Sequence, residues 1–163
     1  MMELWDAYDG NFQKIKDTVL IRGEPIPEGL YHLVCSVLVR HEDGSYLLMQ
    51  RDIRKHWGGM WEATAAGSAL QGETPLDCAM RELFEETGLS ETHLTELGRV
   101  IHPQHRSLYV EYLCVTECNK NSIRLQEGET KDYRWVSREE LVAMPKTELI
   151  TSRMQVFLEE LQR

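Results

Sequence analysis

This sequence is missing the features of a membrane, secreted or nucleic-acid-binding protein. No apolar run approaches the roughly 20 residues that a membrane span needs. Residues 1–10 contain no basic segment followed by an apolar one, so no secretion signal is expected. The net charge of −9 argues against a basic surface that binds nucleic acid polymers. We therefore expect a cytoplasmic protein without a membrane or nucleic acid partner.

Paired cysteines are missing as well. The four cysteines include no CxxC pair and no zinc-binding spacing. Cys35 and Cys114 lie in apolar, strand-like runs and Cys78 lies in a predicted helix, so we expect buried free thiols. No internal repeat, low-complexity segment or second-domain boundary divides the 163 residues. That length is enough for a single domain with its own core.

The domain is predicted to have an α/β (α+β) fold. We expect one unit over residues 1–163, with an N-terminal β-arm or hairpin at 1–30 and a core at 31–163. The Val- and Leu-rich run 31–40 predicts a central strand buried on both faces. Further strands are predicted at 45–52, 97–102, 107–115 and 132–136, a loop at 53–67, and helices at 75–87, 137–144 and 148–163. A mixed β-sheet with helices on both faces follows from this order.

The helix at 75–87 has clear signals at both ends. Thr74 is a suitable N-cap and Asp77 can complete a capping box with it. Pro75 fits the first helical position, where its missing N–H has no cost. Gly88 suits the left-handed conformation that ends many helices. The boundaries of this helix are therefore predicted to within a residue or two.

Three carboxylates share one face of that helix. Glu82, Glu85 and Glu86 have the spacing i, i+3 and i+4, and side chains at this spacing are neighbours. They repel one another unless a cation binds among them. Hard divalent ions such as Mg²⁺ and Mn²⁺ prefer oxygen ligands, so the cluster is either a metal site or a solvated acidic face.

The wider spacing favours the metal site. The stretch from residue 67 to residue 89 has the pattern Gly67-x5-Glu73-x7-Arg81-Glu82-Leu83-x-Glu85-Glu86-x-Gly88-Leu89. The seven Gly, Glu and Arg residues of this pattern match by chance on the order of 10⁻⁹ times per starting position. The pattern resembles the sequence box of the Nudix hydrolase family. The resemblance implies an α/β/α sandwich and a metal-dependent hydrolase acting on a nucleoside diphosphate or a related small phosphorylated metabolite.

The resemblance also implies a role for each residue of the box. Glu82, Glu85 and Glu86 would bind Mg²⁺ or Mn²⁺, and the backbone carbonyl of Gly67 would be a further ligand. Glu82 or Glu86 would orient or deprotonate the water that attacks phosphorus. Arg81, one turn before Glu85, would hold that carboxylate in place. The family also leaves a homodimer open, because many relatives pair through their N-terminal regions or sheet edges.

Outside the box, the sequence offers weaker candidates. Glu129 is the best match to a glutamate that relatives use as a base or extra ligand, or else it is a solvated turn residue. Arg51 ends a strand and either contacts substrate phosphate or forms a structural ion pair. Lys55 lies in a loop that can close on the substrate. His102 and His105 are expected to be solvated and to have no role.

A second resemblance is to the isopentenyl-diphosphate isomerases of the same family. It rests on LWDAYDGN, RGEPIPEGLYHLV and WGGMWEATAAG. His32 and Glu111 correspond to isomerase metal ligands and are candidates for the substrate region. The alternatives are a hydrogen-bonded histidine at a strand start for His32 and an edge-exposed carboxylate for Glu111. The reactive cysteine and the histidine of those enzymes are replaced by Ala66 and Ser68. The alternatives are therefore isomerase-like activity, which these replacements disfavour, and a non-catalytic nucleotide-binding module, which the intact box disfavours.

Overall fold

The computed structural model describes residues 1–162, and Arg163, the last residue of the predicted domain and closing helix, lies outside them. The strands are β1 (Leu4–Tyr8), β2 (Lys14–Ile21), β3 (His32–His41), β4 (Tyr46–Arg51), β5 (Trp61–Glu62), β6 (Thr64–Ser68), β7 (Leu94–His102), β8 (Ser107–Thr116) and β9 (Thr130–Val136). The helices are α1 (Pro75–Thr87), α2 (Arg138–Ala143) and α3 (Gln155–Leu161), with a 3₁₀ turn at Pro103–His105. None of the helices in residues 1–162 is long and apolar enough to cross a membrane.

The main sheet is mixed, as predicted. Its strand order is β5-β4-β3-β8-β7, with β6 paired to β3 and β9 paired to β4. The central strand β3 runs parallel to β8 and antiparallel to β6. It meets β4 at only one pair, Arg40 with Tyr46, because β4 then pairs with β9 and β5 instead. The sheet therefore divides beyond this hairpin, and β6 takes the place next to β3.

Both faces of the sheet are covered, which confirms the α/β/α arrangement. Alternate residues of β3 point to opposite faces, so Cys35 packs in one core and Leu38 in the other. The first core receives Leu83 from α1. The second receives Leu141 from α2 and Phe157 from α3. Full burial of each large apolar side chain stabilises the fold by about 1.5–3 kcal/mol, which explains why the middle of β3, from Leu33 to Val39, is apolar apart from Ser36.

The predicted N-terminal hairpin is present and lies against the core. β1 and β2 pair antiparallel, and Trp5, Ala7 and Leu20 form a small core of their own. The carboxylate of Asp6 accepts a hydrogen bond of 2.8 Å from the backbone N–H of Gly72. Because Gly72 lies in the loop of the sequence box, this contact ties the hairpin to the region that carries the glutamates.

Two predicted boundaries are wrong. Residues 53–67 were expected to be a loop, but they contain β5 and most of β6. The small residues of β6 do not show the apolar and polar alternation of a half-buried strand. The closing helix was expected from residue 148, but α3 begins at Gln155. Residues 148–150 pair with Trp61 instead: the Trp61 N–H donates to Glu148 O at 2.7 Å, and the Ile150 N–H donates to Trp61 O at 2.9 Å. Tertiary pairing overrides the local helical pattern here.

Candidate active site

The four helix signals at the ends of α1 are all present. The Thr74 hydroxyl accepts a hydrogen bond from the Asp77 N–H, and the Asp77 carboxylate accepts one from the Thr74 N–H, both at 3.1 Å. Pro75 is the first helical residue, and Gly88 has a φ of 79°. A cap of this kind contributes about 1 kcal/mol. The helix therefore starts at a defined residue, which fixes the position of its glutamates relative to β6.

Gly67 lies directly against one of these glutamates. A Cβ atom at residue 67 would be 2.1 Å from Oε1 of Glu82, which is closer than non-bonded atoms can approach. The Gly67 carbonyl also accepts a hydrogen bond of 3.5 Å from the buried Cys78 thiol. The missing side chain thus allows the Glu82 carboxylate to lie against the backbone of residue 67.

Arg81 connects the carboxylates of the box. Its Nε donates to Glu73 at 2.7 Å, and its Nη1 donates to Glu82 at 2.8 Å and to Glu85 at 3.4 Å. Its Nη2 donates to the carbonyl oxygen of Ser68 at 3.1 Å. The expected contact with Glu85 is present, but the two shorter ones are with Glu73 and Glu82. Arg81 therefore joins the loop after β6 to the acidic face of α1.

The acidic face provides oxygen ligands in a partly desolvated setting. Burial raises the pKa of Glu82, more than the adjacent Arg81 lowers it. Burial also raises the pKa of Glu86 well above its usual range, and the carboxylates of Glu62 and Glu82 add to the effect. A divalent cation would relieve this cost. Within residues 1–162 no three ligating side chains converge on one point, and Glu82 and Glu85 are engaged by Arg81.

The donor set nevertheless fits Mg²⁺ or Mn²⁺. Carboxylate oxygens and a backbone carbonyl are the ligands that these hard ions prefer. Gly67 and Glu82 lie so close together that a Cβ atom at residue 67 would not fit, so the carboxylate lies against the backbone of residue 67. Binding of an ion requires Glu82 and Glu85 to exchange their contacts with Arg81 for contacts with the metal.

A cavity of about 910 Å³ opens over these residues. The cavity brings together most of the predicted site: its wall includes Gly67, Arg81, Glu82, Glu85, Glu86, Lys55, Glu129 and His32. Neither Arg51 nor Glu111 lines it. His102 and His105, which were expected to be solvated and without a role, both lie on the wall, and His102 is half-buried. Arg153 and Gln155 lie there too, and no sequence motif marked them.

Lys55 and Glu129 meet at the cavity wall. The Lys55 ammonium group donates to the Glu129 carboxylate, although the two residues are far apart in sequence. The pair links the loop after β4 to the turn before β9. Glu129 can act as a base or ligand only after Lys55 releases it, so the pair favours a carboxylate of α1 for that role.

His32 is a hydrogen-bonded histidine at the start of β3. Its Nε2 lies 2.6 Å from the Ser107 hydroxyl and its Nδ1 lies 3.3 Å from that of Ser68. Its ring stacks on Trp5 with centroids 4.3 Å apart. Burial lowers the pKa of His32 to about 4, so the imidazole is neutral at pH 7. It lines the cavity as a fixed neutral group rather than as a cation.

The structure corrects the expectation that Arg51 contacts the substrate phosphate. Its Nη1 donates to Glu62 at 2.8 Å, its Nε donates to the carbonyl oxygen of His56 at 2.8 Å, and the charged side chains are only 13% and 11% exposed. The alternative of a structural ion pair is therefore the one that the structure supports. The reason is that β5, which carries Glu62, pairs with β4, which ends at Arg51.

We expect Arg51→Met to destabilise the protein by about 3–5 kcal/mol, because it leaves a buried carboxylate without its partner. The measurement is the urea midpoint of unfolding. The exposed pair of Arg99 with Glu96 provides the control, since both side chains are 41% exposed and Arg99→Met leaves its partner solvated. A raised KM with an unchanged urea midpoint would show that Arg51 contacts the substrate after all.

Glu111 is the second correction. It was expected either at a sheet edge or in the site, but it is fully buried, and its Oε2 accepts a hydrogen bond of 2.9 Å from the Val156 N–H at the start of α3. Burial raises the pKa of Glu111 from 4.5 to about 7. The side chain points to the sheet face that α3 covers, which the sequence of β8 alone does not reveal.

This raised pKa predicts a pH dependence of stability. Between pH 4.5 and about 7 the folded state holds a proton that the unfolded state has lost, so stability should fall as pH rises through this window. We expect Glu111→Gln to remove roughly 2–3 kcal/mol of that change. Denaturant unfolding of both proteins below pH ~5 and above pH ~8 would measure it. If the free energy of unfolding changed equally with pH in wild type and variant, this pH dependence would not come from Glu111.

Comparisons with known proteins agree with this geometry. The family model described as NUDIX domain matches residues 30–160. The chain is 34% identical over 145 residues to an uncharacterized Nudix hydrolase, lin0387, of Listeria innocua, covering 88% of this chain and 85% of that protein. It is 40% identical over 88 residues to an isopentenyl-diphosphate Delta-isomerase of Streptomyces coelicolor, covering 52% of this chain and 45% of that protein.

The fold has close structural counterparts as well. The crystal structure of DR0079 from Deinococcus radiodurans superposes with a TM-score of 0.68 at 17% identity, covering 86% of this chain and 87% of that one. At this identity the match concerns the fold, and it agrees with the mixed sheet and the helices described above. The family model and the long match to the Listeria protein go further. The chain belongs to the Nudix hydrolase family, and it is a Nudix hydrolase.

Proposed function

We propose that this enzyme hydrolyses the diphosphate bond of a nucleoside diphosphate or a related small phosphorylated metabolite, with Mg²⁺ or Mn²⁺ as cofactor. The observation that carries the proposal is the arrangement of Gly67, Glu82, Glu85 and Glu86 on one cavity wall. These residues match the family's box at each defined position. The cavity is large enough for a substrate of several hundred Å³.

In this proposal the residues of α1 hold the ion and direct the water. Glu82, Glu85 and Glu86 would be the carboxylate ligands and Gly67 O would be the carbonyl ligand. A bound divalent ion supplies charge neutralisation for the phosphates and a lowered pKa for water. The water oxygen attacks one phosphorus atom, the bond from that phosphorus to the bridging oxygen breaks, and a carboxylate oxygen of Glu82 or Glu86 takes the water proton. The bridging oxygen leaves with the other phosphate.

Isomerase activity is not favoured by the cavity. Ala66 and Ser68 line the wall at the positions where the resemblance places the isomerases' cysteine and histidine. A methyl group cannot carry a proton to or from a double bond. The match to the Streptomyces enzyme therefore supports common ancestry more than a shared reaction. The expected homodimer and cytoplasmic location stay predictions, the latter supported by free thiols at Cys35, Cys78 and Cys114.

A phosphate-release screen tests the proposed function. The panel contains nucleoside di- and triphosphates, nucleotide sugars, dinucleotides and isoprenoid diphosphates, each with Mg²⁺ or Mn²⁺. Wild type is compared with Glu85→Gln and with Glu139→Gln, an exposed glutamate on α2 outside the cavity. We expect turnover of at least one diphosphate in wild type and Glu139→Gln and its loss in Glu85→Gln. Isomerised isoprenoid, or binding without turnover across the panel, would contradict the proposal.

A further inference from the structure

The segment before α3 completes the cavity wall. Ser152, Arg153 and Gln155 line the cavity together with the glutamates of α1. Arg153 lies close enough to Glu86 to lower the pKa of that carboxyl group and close enough to Lys55 to lower the pKa of that ammonium group. The C-terminal part of the chain, which lies outside the sequence box, therefore contributes a cation to the candidate active site.

Among residues 1–162, Arg153 differs from the other cations of the cavity in having no ion-pair partner. The other three are committed: Arg22 pairs with Glu3 at 3.1 Å, Lys55 pairs with Glu129, and Arg81 pairs with Glu73, Glu82 and Glu85. Arg153 has no carboxylate within 4 Å among residues 1–162, although it is half-buried. A cation that is partly removed from water without a partner is costly, so its position is explained best by an anionic ligand.

Glu111 determines where Arg153 lies. Helix α3 has no side-chain cap from its own N-cap residue, Met154. The acceptor comes instead from the sheet, because Glu111 Oε2 receives the Val156 N–H at 2.9 Å and the Phe157 N–H lies nearby. Since Arg153 precedes Val156 by less than one helical turn, a shift of the start of α3 would move Arg153 relative to the cavity.

We propose that Arg153 binds the phosphate oxygens of the substrate and that Glu111 is a positioning residue that keeps it in the cavity by holding the start of α3. The proposal rests on the proposed function for the identity of the ligand as a diphosphate. A guanidinium group suits this task because it can donate two parallel hydrogen bonds to a phosphate group. With a net charge of −9, the protein needs such a local cation to attract a diphosphate.

The first arm of the test concerns Arg153 itself. We expect Arg153→Gln to raise KM roughly 10- to 100-fold while kcat changes little, because a charge-assisted contact with the ground-state phosphate is lost. Arg153→Lys should recover part of the loss. Arg99→Gln is the matched control, since Arg99 pairs with Glu96 outside the cavity. An unchanged KM in Arg153→Gln would overturn the proposal.

The second arm asks whether Glu111 acts through Arg153. Glu111→Ala should raise KM as Arg153→Gln does, and Glu111→Gln, which keeps an acceptor oxygen, should restore the wild-type value. The double variant of Glu111→Ala with Arg153→Gln should be no worse than Arg153→Gln alone. Hydrogen exchange should show faster exchange of the Val156 and Phe157 amides in Glu111→Ala. Fully additive effects of the two substitutions on KM, or unchanged hydrogen exchange of the two amides, would overturn the positioning role.

A binding measurement separates this proposal from the proposed function. The probe is methylenediphosphonate with Mg²⁺, measured by calorimetry in wild type and Arg153→Gln. Weaker binding to the variant supports the phosphate contact even if the wild type hydrolyses nothing in the screen. An active wild type whose affinity for the probe does not change in Arg153→Gln overturns the inference and leaves the proposed function standing.

Discussion

Replacing Glu86 with glutamine should lower kcat by roughly 10²- to 10³-fold and at the same time make the metal-free protein more stable. Under the proposed function the activity falls because the amide removes a negative oxygen ligand and a proton acceptor. The stability rises because the partial desolvation of the wild-type carboxylate, together with the nearby carboxylates of Glu62 and Glu82, raises its pKa well above the usual range. An uncharged group of the same shape has no such desolvation cost.

Thermal unfolding with and without Mg²⁺ checks the second half of this prediction. Wild type should gain stability as Mg²⁺ is added, by about 2.7 kcal/mol at a hundredfold excess over the dissociation constant. Glu86→Gln should start from a higher midpoint and gain less. Glu139→Gln, with its exposed carboxylate on α2, should behave as wild type does in both measurements. A Glu86→Gln protein that is less stable without metal would show that this carboxylate has a structural role.

Gly67→Ala should lower the activity nearly as much as Glu86→Gln does, because the added methyl group enters occupied space. Its Cβ atom would lie 2.1 Å from Oε1 and 2.3 Å from Cδ of Glu82, whose carboxylate is held in turn by Arg81. Glu82 must turn away, which costs about 1–3 kcal/mol and removes a carboxylate from the proposed metal site. We expect activity to fall by at least ~10²-fold.

Gly10→Ala is the matched control for that substitution. A Cβ atom at residue 10 would meet only Tyr31, at an ordinary 3.7 Å, so unfolding midpoint and activity should change little. The measurements are the urea midpoint and the kcat on the substrate that the screen identifies. A Gly67→Ala enzyme with wild-type activity would mean that the close approach of Gly67 to Glu82 is not needed for catalysis.

The box and its helix could be predicted from the sequence because their determinants are local. The caps of α1 are contacts between residues three or four apart, and the shared face of Glu82, Glu85 and Glu86 is a consequence of helical periodicity alone. The central strand was predicted for a similar reason, since an apolar run with no polar face must be covered on both sides. The fold class and the family followed from these local patterns.

Other positions depended on partners far away in sequence. Arg51 has a structural role because β5 brings Glu62 beside it, and β5 itself was predicted as part of a loop. Glu111 is buried rather than exposed to the cavity because α3 covers that face of the sheet, and its carboxylate accepts the Val156 N–H. A sequence pattern indicates that a carboxylate lies in an apolar strand, but it does not indicate which element covers it.

The sequence by itself determined the acidic face of α1, the glycine beside it and the family, because spacing along one helix and its preceding loop defines them. Only the tertiary structure decided which cations face that site. In the folded protein Arg51 pairs with Glu62, Lys55 pairs with Glu129, and Arg153 lies on the cavity wall. The physical reason is that a charged side chain is assigned its role by the nearest opposite charge, and the nearest charges here come from distant parts of the chain.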